Sequence, residues 1–313
     1  MKEVQPDWVF MDDEAFGSGW ETWSIDAALS ANAQARAMPR EKPLDLAWRM
    51  AGEMMQSWTA CLPKVSPHTT PAWYNSAFPD QVFASAGIVA QPSMYGAVHY
   101  LDTFPAEVRG SKLQQGKMAN GKPHHLLPWL TACTYGQMSA VLALESALHS
   151  FGGGATGFSY FGVFPAGCFD DPAKMLALST ATALATLFED HFMDGKPIIP
   201  KDFTATVGSL RAWSGMRLAD SYWVVLTPGL PTHTLPSDIA VSLKVAQPDS
   251  VLTSWTSCDL TTGETHAVLQ TAKGITISDL KLTRTTVLHI ASGAASKCTK
   301  LPADVWLPQP GYN

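Results

Sequence analysis

The chain changes its hydrophobic period once, near residue 197. Before that point, short apolar runs alternate with longer segments whose apolar residues recur every three or four positions, a pattern typical of strands alternating with helices. After Lys196-Pro197, short runs alternate apolar and polar residues between turns rich in Pro, Gly and Asp. Alternating strands and helices favour parallel sheets, whereas closely spaced alternating strands favour antiparallel sandwiches. We therefore predict an α/β region at 1–197, a β-sandwich at 198–293 and a loosely ordered tail at 294–313.

The α/β region contains five predicted strands and several amphipathic helices between them. The predicted strands are Asp7–Asp13, Pro71–Ala77, Ile88–Tyr95, Leu126–Thr134 and Gly157–Phe164. The predicted helices cover Leu44–Cys61, Phe104–Ala119, Gln137–Phe151 and a long segment from Pro172 to about Asp194. In the first helix, the four-residue spacing of Leu46, Met50, Met54 and Trp58 predicts a buried face. The sandwich is expected to have its own core of Trp213, Trp223, Val225, Leu243 and Leu288.

The composition excludes several classes of partner. A chain of 313 residues with 46% apolar and 15% charged residues can bury a large core and should be globular. Its net charge of −6 leaves no basic stripe that would neutralise phosphates, so we do not expect a nucleic-acid partner. No apolar run approaches the ~20 residues that span a bilayer, and residues 1–6 lack the apolar core of a signal peptide. We expect no membrane partner; the sequence assigns no compartment, and a longer form with its own signal would be compatible with secretion.

No cofactor or metal site is predicted. The five cysteines are widely spaced without a C-x-x-C pair, so they indicate neither a disulfide framework nor a zinc site. The segment from Gly152 to Gly157 matches G-x-G-x-x-G, but it follows a predicted helix and precedes a predicted strand, the reverse of a dinucleotide-binding turn. His124-His125 has no third ligand at a recognisable spacing, and no G-x-S-x-G sequence offers a serine nucleophile.

A cluster of carboxylates follows the first predicted strand. Asp12, Asp13 and Glu14 continue the apolar run that begins at Trp8. Side chains alternate along a strand, so Asp12 and Glu14 share one face while Asp13 lies on the other. Two neighbouring carboxylates do not both ionise freely, and one of them is thereby kept protonated, as a general acid requires. The alternative interpretation is a solvated acidic loop or a helix N-cap cluster.

Other polar and aromatic residues fall at or just beyond predicted strand ends, where sites of parallel α/β proteins assemble. Such side chains on aromatic walls are typical of a sugar-binding pocket, although each alone is more often a packing residue. The predicted substrate-binding residues are Trp20, Tyr74, Asn75, Tyr95, His99, Tyr135 and Tyr160.

The order of these regions resembles a known enzyme architecture. Parallel βα units are followed by a β domain that contains Asp220-Ser221-Tyr222-Trp223-Val224-Val225-Leu226 and then Cys258-Asp259-Leu260-Thr261-Thr262-Gly263-Glu264. This order resembles the C-terminal half of a (β/α)8-barrel glycoside hydrolase with its trailing β-sandwich. The resemblance implies an α/β fold, namely a partial TIM (β/α)8 barrel of about five βα units followed by an antiparallel β-sandwich. It makes Asp7–Asp13 the fourth barrel strand and implies a fragment without strands one to three, whose open edges would favour self-association.

The D-x-E pair is similar to that of chitinase-like enzymes. This similarity implies that Glu14 protonates the leaving oxygen, that Asp12 orients an acetamido group of the substrate and that Tyr95 lines the pocket. The chain lacks the longer D-x-x-D-x-D-x-E pattern and a tryptophan on the last barrel strand, so retention through a separate nucleophile stays open. The predicted function is a glycoside hydrolase that acts on an oligo- or polysaccharide by carboxylate general acid/base catalysis. Two alternatives are a non-catalytic carbohydrate-binding or vestigial barrel protein, and a structural half-barrel that pairs with another chain.

Overall fold

The computed structural model describes most of the second half of the chain and separate segments of the first half. The described residues are 8–12, 39–65, 70–75, 90–92, 100–118, 126–131, 139–161, 172–206, 210–219, 221–229, 239–243, 254–271, 274–282, 284–292 and 298. They belong to two compact units, Met1–Ser93 and Met94–Asn313. None of the described helices is long and apolar enough to cross a membrane.

The described residues of the first unit form a parallel sheet and one long helix. Strands β1 (Trp8–Asp12), β2 (Thr70–Asn75) and β3 (Ala90–Pro92) pair in the order β1-β2-β3, and both pairings are parallel, as the sequence predicts. Helix α1 covers Pro43–Val65. Leu46 on this helix is buried with Met50 packed against it, but Trp58 is 48% exposed, so the prediction that Trp58 belongs to the core face is wrong. The buried residues Ala51 and Met55 show that the buried stripe turns away from Trp58 along the helix.

The second unit begins with helices and one parallel pair of strands. Its elements are α2 (Tyr100–Met118), β4 (Trp129–Thr131), α3 (Ala140–Gly152), β5 (Ser159–Phe161), α4 (Pro172–Thr186) and α5 (Glu189–Met193). Strands β4 and β5 pair in parallel. Ser139 caps α3 by accepting a hydrogen bond from the Leu142 amide at 3.1 Å. The long helix predicted from Pro172 is two helices, because the backbone of Phe188 leaves the helical conformation before α5 starts.

After α5, the described residues of the second unit form two antiparallel sheets and a short 3-10 turn at Pro200–Asp202. The strands of the two sheets are β6 (Lys196–Pro197), β7 (Phe203–Ala205), β8 (Leu210–Leu218), β9 (Ser221–Pro228), β10 (Ile239–Leu243), β11 (Trp255–Asp259), β12 (Thr265–His266), β13 (Val268–Thr271), β14 (Gly274–Leu280) and β15 (Thr286–Ser292). The six-stranded sheet has the order β12-β11-β15-β9-β8-β6, and the four-stranded sheet has the order β13-β14-β10-β7. All pairings in both sheets are antiparallel, as the alternating pattern predicts for the strands after residue 197.

The central strands β9 and β15 of the six-stranded sheet are buried on both faces. Tyr222, Val224 and Leu226 of β9 belong to a core shared with the four-stranded sheet. The alternate residues Trp223 and Val225 are fully buried on the opposite face, which packs against helices. The sandwich is therefore covered by a helical layer.

The ring contacts support this three-layer arrangement. The Trp223 ring lies 5.0 Å from that of Phe192 on α5, between ring centroids. The predicted sandwich core is thus wrong for Trp223 and Val225, whereas Leu288 lies in the core between the sheets and Trp213 packs against it. The side chain of Leu243, the remaining predicted core residue, lies outside the described set. The predicted domain boundary at 197/198 stays a prediction.

Helix α3 approaches β8 so closely that only glycine fits at its end. A Cβ at Gly152 would overlap the Ser214 hydroxyl oxygen and lie 2.9 Å from the Ser214 Cβ. We expect Gly152→Ala to destabilise the protein by about 1–3 kcal/mol through overpacking. Gly110→Ala on α2 is the matched control, since a Cβ there meets nothing within 4 Å and should stabilise the helix by about 0.5–1 kcal/mol. Chemical denaturation of both variants measures the difference, and equal effects would contradict the close approach.

Candidate active site

The carboxyl ends of the parallel strands in the first unit bring predicted site residues into one row. Asp12, the last residue of β1, is the Cα partner of Tyr74 in β2. Tyr74 is in turn the partner of Gln91 in β3, and Asn75 is the partner of Pro92. Three adjacent parallel strands therefore carry Asp12, Tyr74 and Gln91 at the same level, where α/β proteins assemble their sites.

Several predicted site residues lie outside the described residues. This group consists of Glu14, Trp20, Tyr95, His99 and Tyr135. Tyr160 is described as the middle residue of β5, in the second unit. Among the predicted site residues that the structure describes, the pairing of β1 with β2 places the backbone of Asp12 beside that of Tyr74.

Sequence reasoning missed Gln91. It lies within the predicted strand Ile88–Tyr95, and a single glutamine inside a strand is not a sequence pattern that indicates a sugar site. Its place in the row follows from the pairing of β2 with β3, which a single sequence does not reveal. An amide offers both donors and acceptors to a polyhydroxylated ligand.

The second unit contains a buried chain of hydrogen bonds between α3 and the six-stranded sheet. Thr285 donates to the Glu145 carboxylate at 2.6 Å, and the hydroxyls of Thr285 and Thr227 are 2.9 Å apart. The His149 ring lies between Thr227, at 2.9 Å from Nε2, and Ser214, at 2.8 Å from Nδ1. Thr285 donates its hydroxyl proton to Glu145, so in the contact between the two threonines Thr227 is the donor. The oxygen of Thr227 then accepts from Nε2–H of His149, and Ser214 donates to the unprotonated Nδ1 of His149.

This chain of hydrogen bonds orders the helix layer on the sheet. It joins α3 to β8 and β9 and to Thr285, next to β15, so that polar groups in the interior have partners. His149 is 0% exposed, which keeps it out of reach of a substrate, and burial lowers the pKa of His149 to about 3. In the sequence, the indication of these buried polar contacts is the i, i+4 spacing of Glu145 and His149 on a helix that is otherwise mostly apolar.

A second buried polar cluster lies where α5 meets the same sheet. The Ser221 hydroxyl is 2.9 Å from Nε2 of His191 and 2.9 Å from Nε2 of His289. A single hydroxyl proton serves only one of these nitrogens, so the other ring must donate to Ser221. Among the described residues, Nδ1 of His289 has no hydrogen-bond partner, and an unpartnered lone pair is tolerated better than an unpartnered N–H. His289 therefore donates from Nε2 to Ser221, and Ser221 donates to His191.

One disulfide corrects the cysteine prediction. Cys258 in β11 is bonded to Cys298, with 5.3 Å between the Cα atoms. The two residues are 40 positions apart, and no spacing rule pairs cysteines at such a separation without knowledge of the fold. The bond attaches Cys298, in the segment predicted to be a loose tail, to a buried strand. In the described part of the chain, Cys61 is a free and exposed cysteine, and no group of three potential ligands could hold a metal ion.

Comparisons with known proteins find only distant similarity. No protein-family profile and no curated protein sequence matches the chain. Among solved structures, an α-fucosidase of Thermotoga maritima, a glycoside hydrolase, is similar with 11% identity and a TM-score of 0.31, over 91% of this chain and 94% of that one. The same enzyme with a mechanism-based inhibitor gives a TM-score of 0.29, at the same identity and coverage. An α-L-fucosynthase from that organism gives 0.33, with 11% identity over 89% of this chain and 88% of that one. At these values, the similarity assigns neither an activity nor a substrate to this chain.

Proposed function

We propose that the protein is a glycoside hydrolase-like protein that acts on an oligo- or polysaccharide by carboxylate general acid/base catalysis. Glu14 is the general acid, and Asp12 is the helper that holds it protonated or orients the substrate. In this proposal, the parallel strands of the first unit belong to a partial (β/α)8 barrel, and the two antiparallel sheets form its trailing sandwich. The observation that carries the proposal is the row of Asp12, Tyr74 and Gln91 along the carboxyl ends of three parallel strands.

The physical argument starts from this row. A sugar ring offers several hydroxyls and an apolar face, so its site needs acceptors, donors and aromatic surface within one small area. A carboxylate, a phenol and an amide on adjacent strands supply these groups within about 10 Å, because neighbouring strands lie about 4.8 Å apart. Glu14 follows Asp12 by two residues, which is the spacing that puts two side chains on one face of an extended chain.

Two further predicted residues of the first unit belong to the proposed pocket. Trp20 would supply a stacking surface and Asn75 hydrogen bonds to substrate hydroxyls. The roles of Tyr95, His99, Tyr135 and Tyr160, which belong to the second unit, stay predictions from the sequence. Asp12 assists by substrate participation if the sugar carries an acetamido group, and a separate nucleophile is needed for other sugars. A panel of substrates with and without that group separates the two routes.

The Glu14→Gln variant tests the acid. We expect the rate of glycoside cleavage to fall by about 10²–10⁴ while glycan affinity stays within a few-fold, since proton donation acts in the transition state. The control is Asp13→Asn, which changes an adjacent carboxylate predicted to lie on the other face and should leave the rate nearly unchanged. The measurements are turnover of α- and β-linked aryl glycosides and calorimetric binding of the matching oligosaccharides.

Other outcomes of this experiment contradict the proposal. Equal losses from both variants would mean that the cluster acts through charge or folding. Binding of glycans by the unchanged protein without turnover across the panel would indicate a carbohydrate-binding protein. If the unchanged protein neither binds nor cleaves any glycan of the panel, a glycan is excluded as its ligand.

A further inference from the structure

The second unit has a cavity that the proposed catalytic groups do not use. It has a volume of about 450 Å³ and lies among the last residues of α3 and α4, helix α5 and the residues that precede β5. Its position at the amino end of β5 is the end opposite to the one where the sites of parallel strands assemble. The volume is in the range of about 300–1,000 Å³ that is typical of small-molecule sites.

Three phenylalanine rings make up the apolar wall of the cavity. Phe151 and Phe192 are buried, and their ring centroids are 5.3 Å apart. Phe158 is half-buried and packs edge-on against Phe151 at 5.4 Å. Because the rings pack against one another, the wall is formed before any ligand arrives, which lowers the cost of binding.

The polar side chains of the cavity present acceptors. Thr182 and Thr186 donate their hydroxyl protons to the carbonyls of Leu178 and Thr182, each at 2.9 Å. Thr156 donates to the carbonyl of Leu126 at 3.4 Å. Each hydroxyl therefore offers lone pairs to the cavity. Glu189 is exposed and adds a carboxylate, and the lining residues that the structure describes include no lysine, arginine or histidine.

We propose that this cavity binds an organic ammonium ion that carries an aromatic or other apolar group. The ammonium would donate to Glu189 and to the threonine oxygens, while its apolar part would lie against the phenylalanine wall. The faces of aromatic rings also attract cations, so the wall and the carboxylate favour the same charge. From the polar side chains described in the lining, an anion of similar shape would meet lone pairs and a like charge, and a neutral alcohol would lose the ionic contribution. The proposal is independent of the glycosidase assignment.

Three probes of the same shape test the charge preference: 2-phenylethylammonium, 2-phenylethanol and 3-phenylpropionate. Titrations at neutral pH, followed by calorimetry and by NMR shifts of the cavity residues, give the affinities. We expect the ammonium to bind at least about tenfold more tightly than the alcohol and the carboxylate not to bind measurably.

Two variants locate the ammonium group. Glu189→Gln should weaken ammonium binding by about 5–30-fold and leave alcohol binding unchanged. The control Asp190→Asn removes the same charge from the next residue of α5, which is outside the cavity lining, and should change the affinity less than about twofold. Thermal unfolding of each variant confirms that it is folded.

The result that supports the proposal is an ammonium preference that depends on Glu189 and not on Asp190. The proposal is overturned if alcohol and ammonium bind equally, if both variants lose affinity alike, or if no probe saturates the cavity at millimolar concentration. These experiments use no glycan, so their failure does not bear on the proposal that Glu14 is a general acid. Likewise, a finding that Glu14 is not a general acid does not bear on ligand binding in the cavity.

Discussion

Lowering the pH from 7 to 4 should reduce the free energy of unfolding by about 6 kcal/mol. Burial lowers the pKa of His149 to about 3, and burial together with the neighbouring His191 lowers the pKa of His289 to about 4. Burial also lowers the pKa of His191, against the opposing attraction of Asp190. His149 and His289 each contribute about 3 kcal/mol of the expected loss, because each is protonated near pH 6.5 in the unfolded chain but only at a much lower pH in the folded protein.

The sign follows from the protons bound by each state. Below about pH 6.5, the unfolded state binds one more proton at each of these histidines than the folded state does, so stability falls as the pH falls. The loss at His289 ends near pH 4 and that at His149 near pH 3. A domain with the usual stability of about 5–15 kcal/mol would therefore approach its acid unfolding transition in this range.

Chemical denaturation between pH 5 and pH 7 isolates the histidines, because ordinary carboxylates titrate at about pH 4. We expect a slope of about 2–3 kcal/mol per pH unit in the lower part of this window. His289→Gln should reduce the proton uptake on unfolding by about one while keeping an amide that can reach Ser221. An unfolding free energy that stays constant across the window would show that these rings titrate normally.

The second large effect is expected from Thr285→Val, which removes one hydroxyl from the chain of hydrogen bonds between α3 and the sheet. The substitution deletes the 2.6 Å hydrogen bond to the Glu145 carboxylate and the 2.9 Å contact with Thr227. Both groups are buried, so lost hydrogen bonds are not replaced by water. We expect destabilisation of about 2–4 kcal/mol, measured by denaturant midpoints at pH 7.

A matched control uses the same substitution on the surface. Thr271 is exposed on β13 and donates to the carbonyl of Gly274 at 3.2 Å. Thr271→Val removes a hydroxyl and its hydrogen bond where water can replace it, so the change should be about 0.5 kcal/mol or less. Similar losses in both variants would mean that the buried hydrogen bonds contribute no more than exposed ones.

Local patterns were sufficient for much of the second unit. The apolar period predicted a helix at Gln137–Phe151, which is within a few residues of the observed α3, and the alternating runs after residue 197 predicted the kind of antiparallel strands to which β8, β9 and β15 belong. These patterns succeed because a strand or helix face is selected by its own sequence. The break between α4 and α5 was missed because Phe192 packs against Trp223 of the sheet, a contact that no helical pattern contains.

In the candidate site too, the local sequence predicts one property and the pairing of strands decides another. The D-x-E spacing predicted that Asp12 and Glu14 share a face, a property of any extended chain. That Asp12 lies beside Tyr74, with Gln91 in the same row, depends on which strands pair and in which register. Strands that are far apart in the sequence pair because of the packing of the whole fold, so the sequence of one strand does not reveal which strand lies beside it.

By itself, the sequence determined the change from strands alternating with helices to closely spaced strands, and with it the parallel pairing among β1 to β5 and the antiparallel pairing of the strands after residue 197. Those properties depend on period and connection length, which are local. The antiparallel pairing of β6 with β8 was not predicted. Only the tertiary structure decided that a helical layer covers the six-stranded sheet, that Cys258 bonds to Cys298 and that His149 lies in a buried chain of hydrogen bonds. Each of these depends on the burial of one segment by another, and a buried polar group finds its partner only when the layers pack.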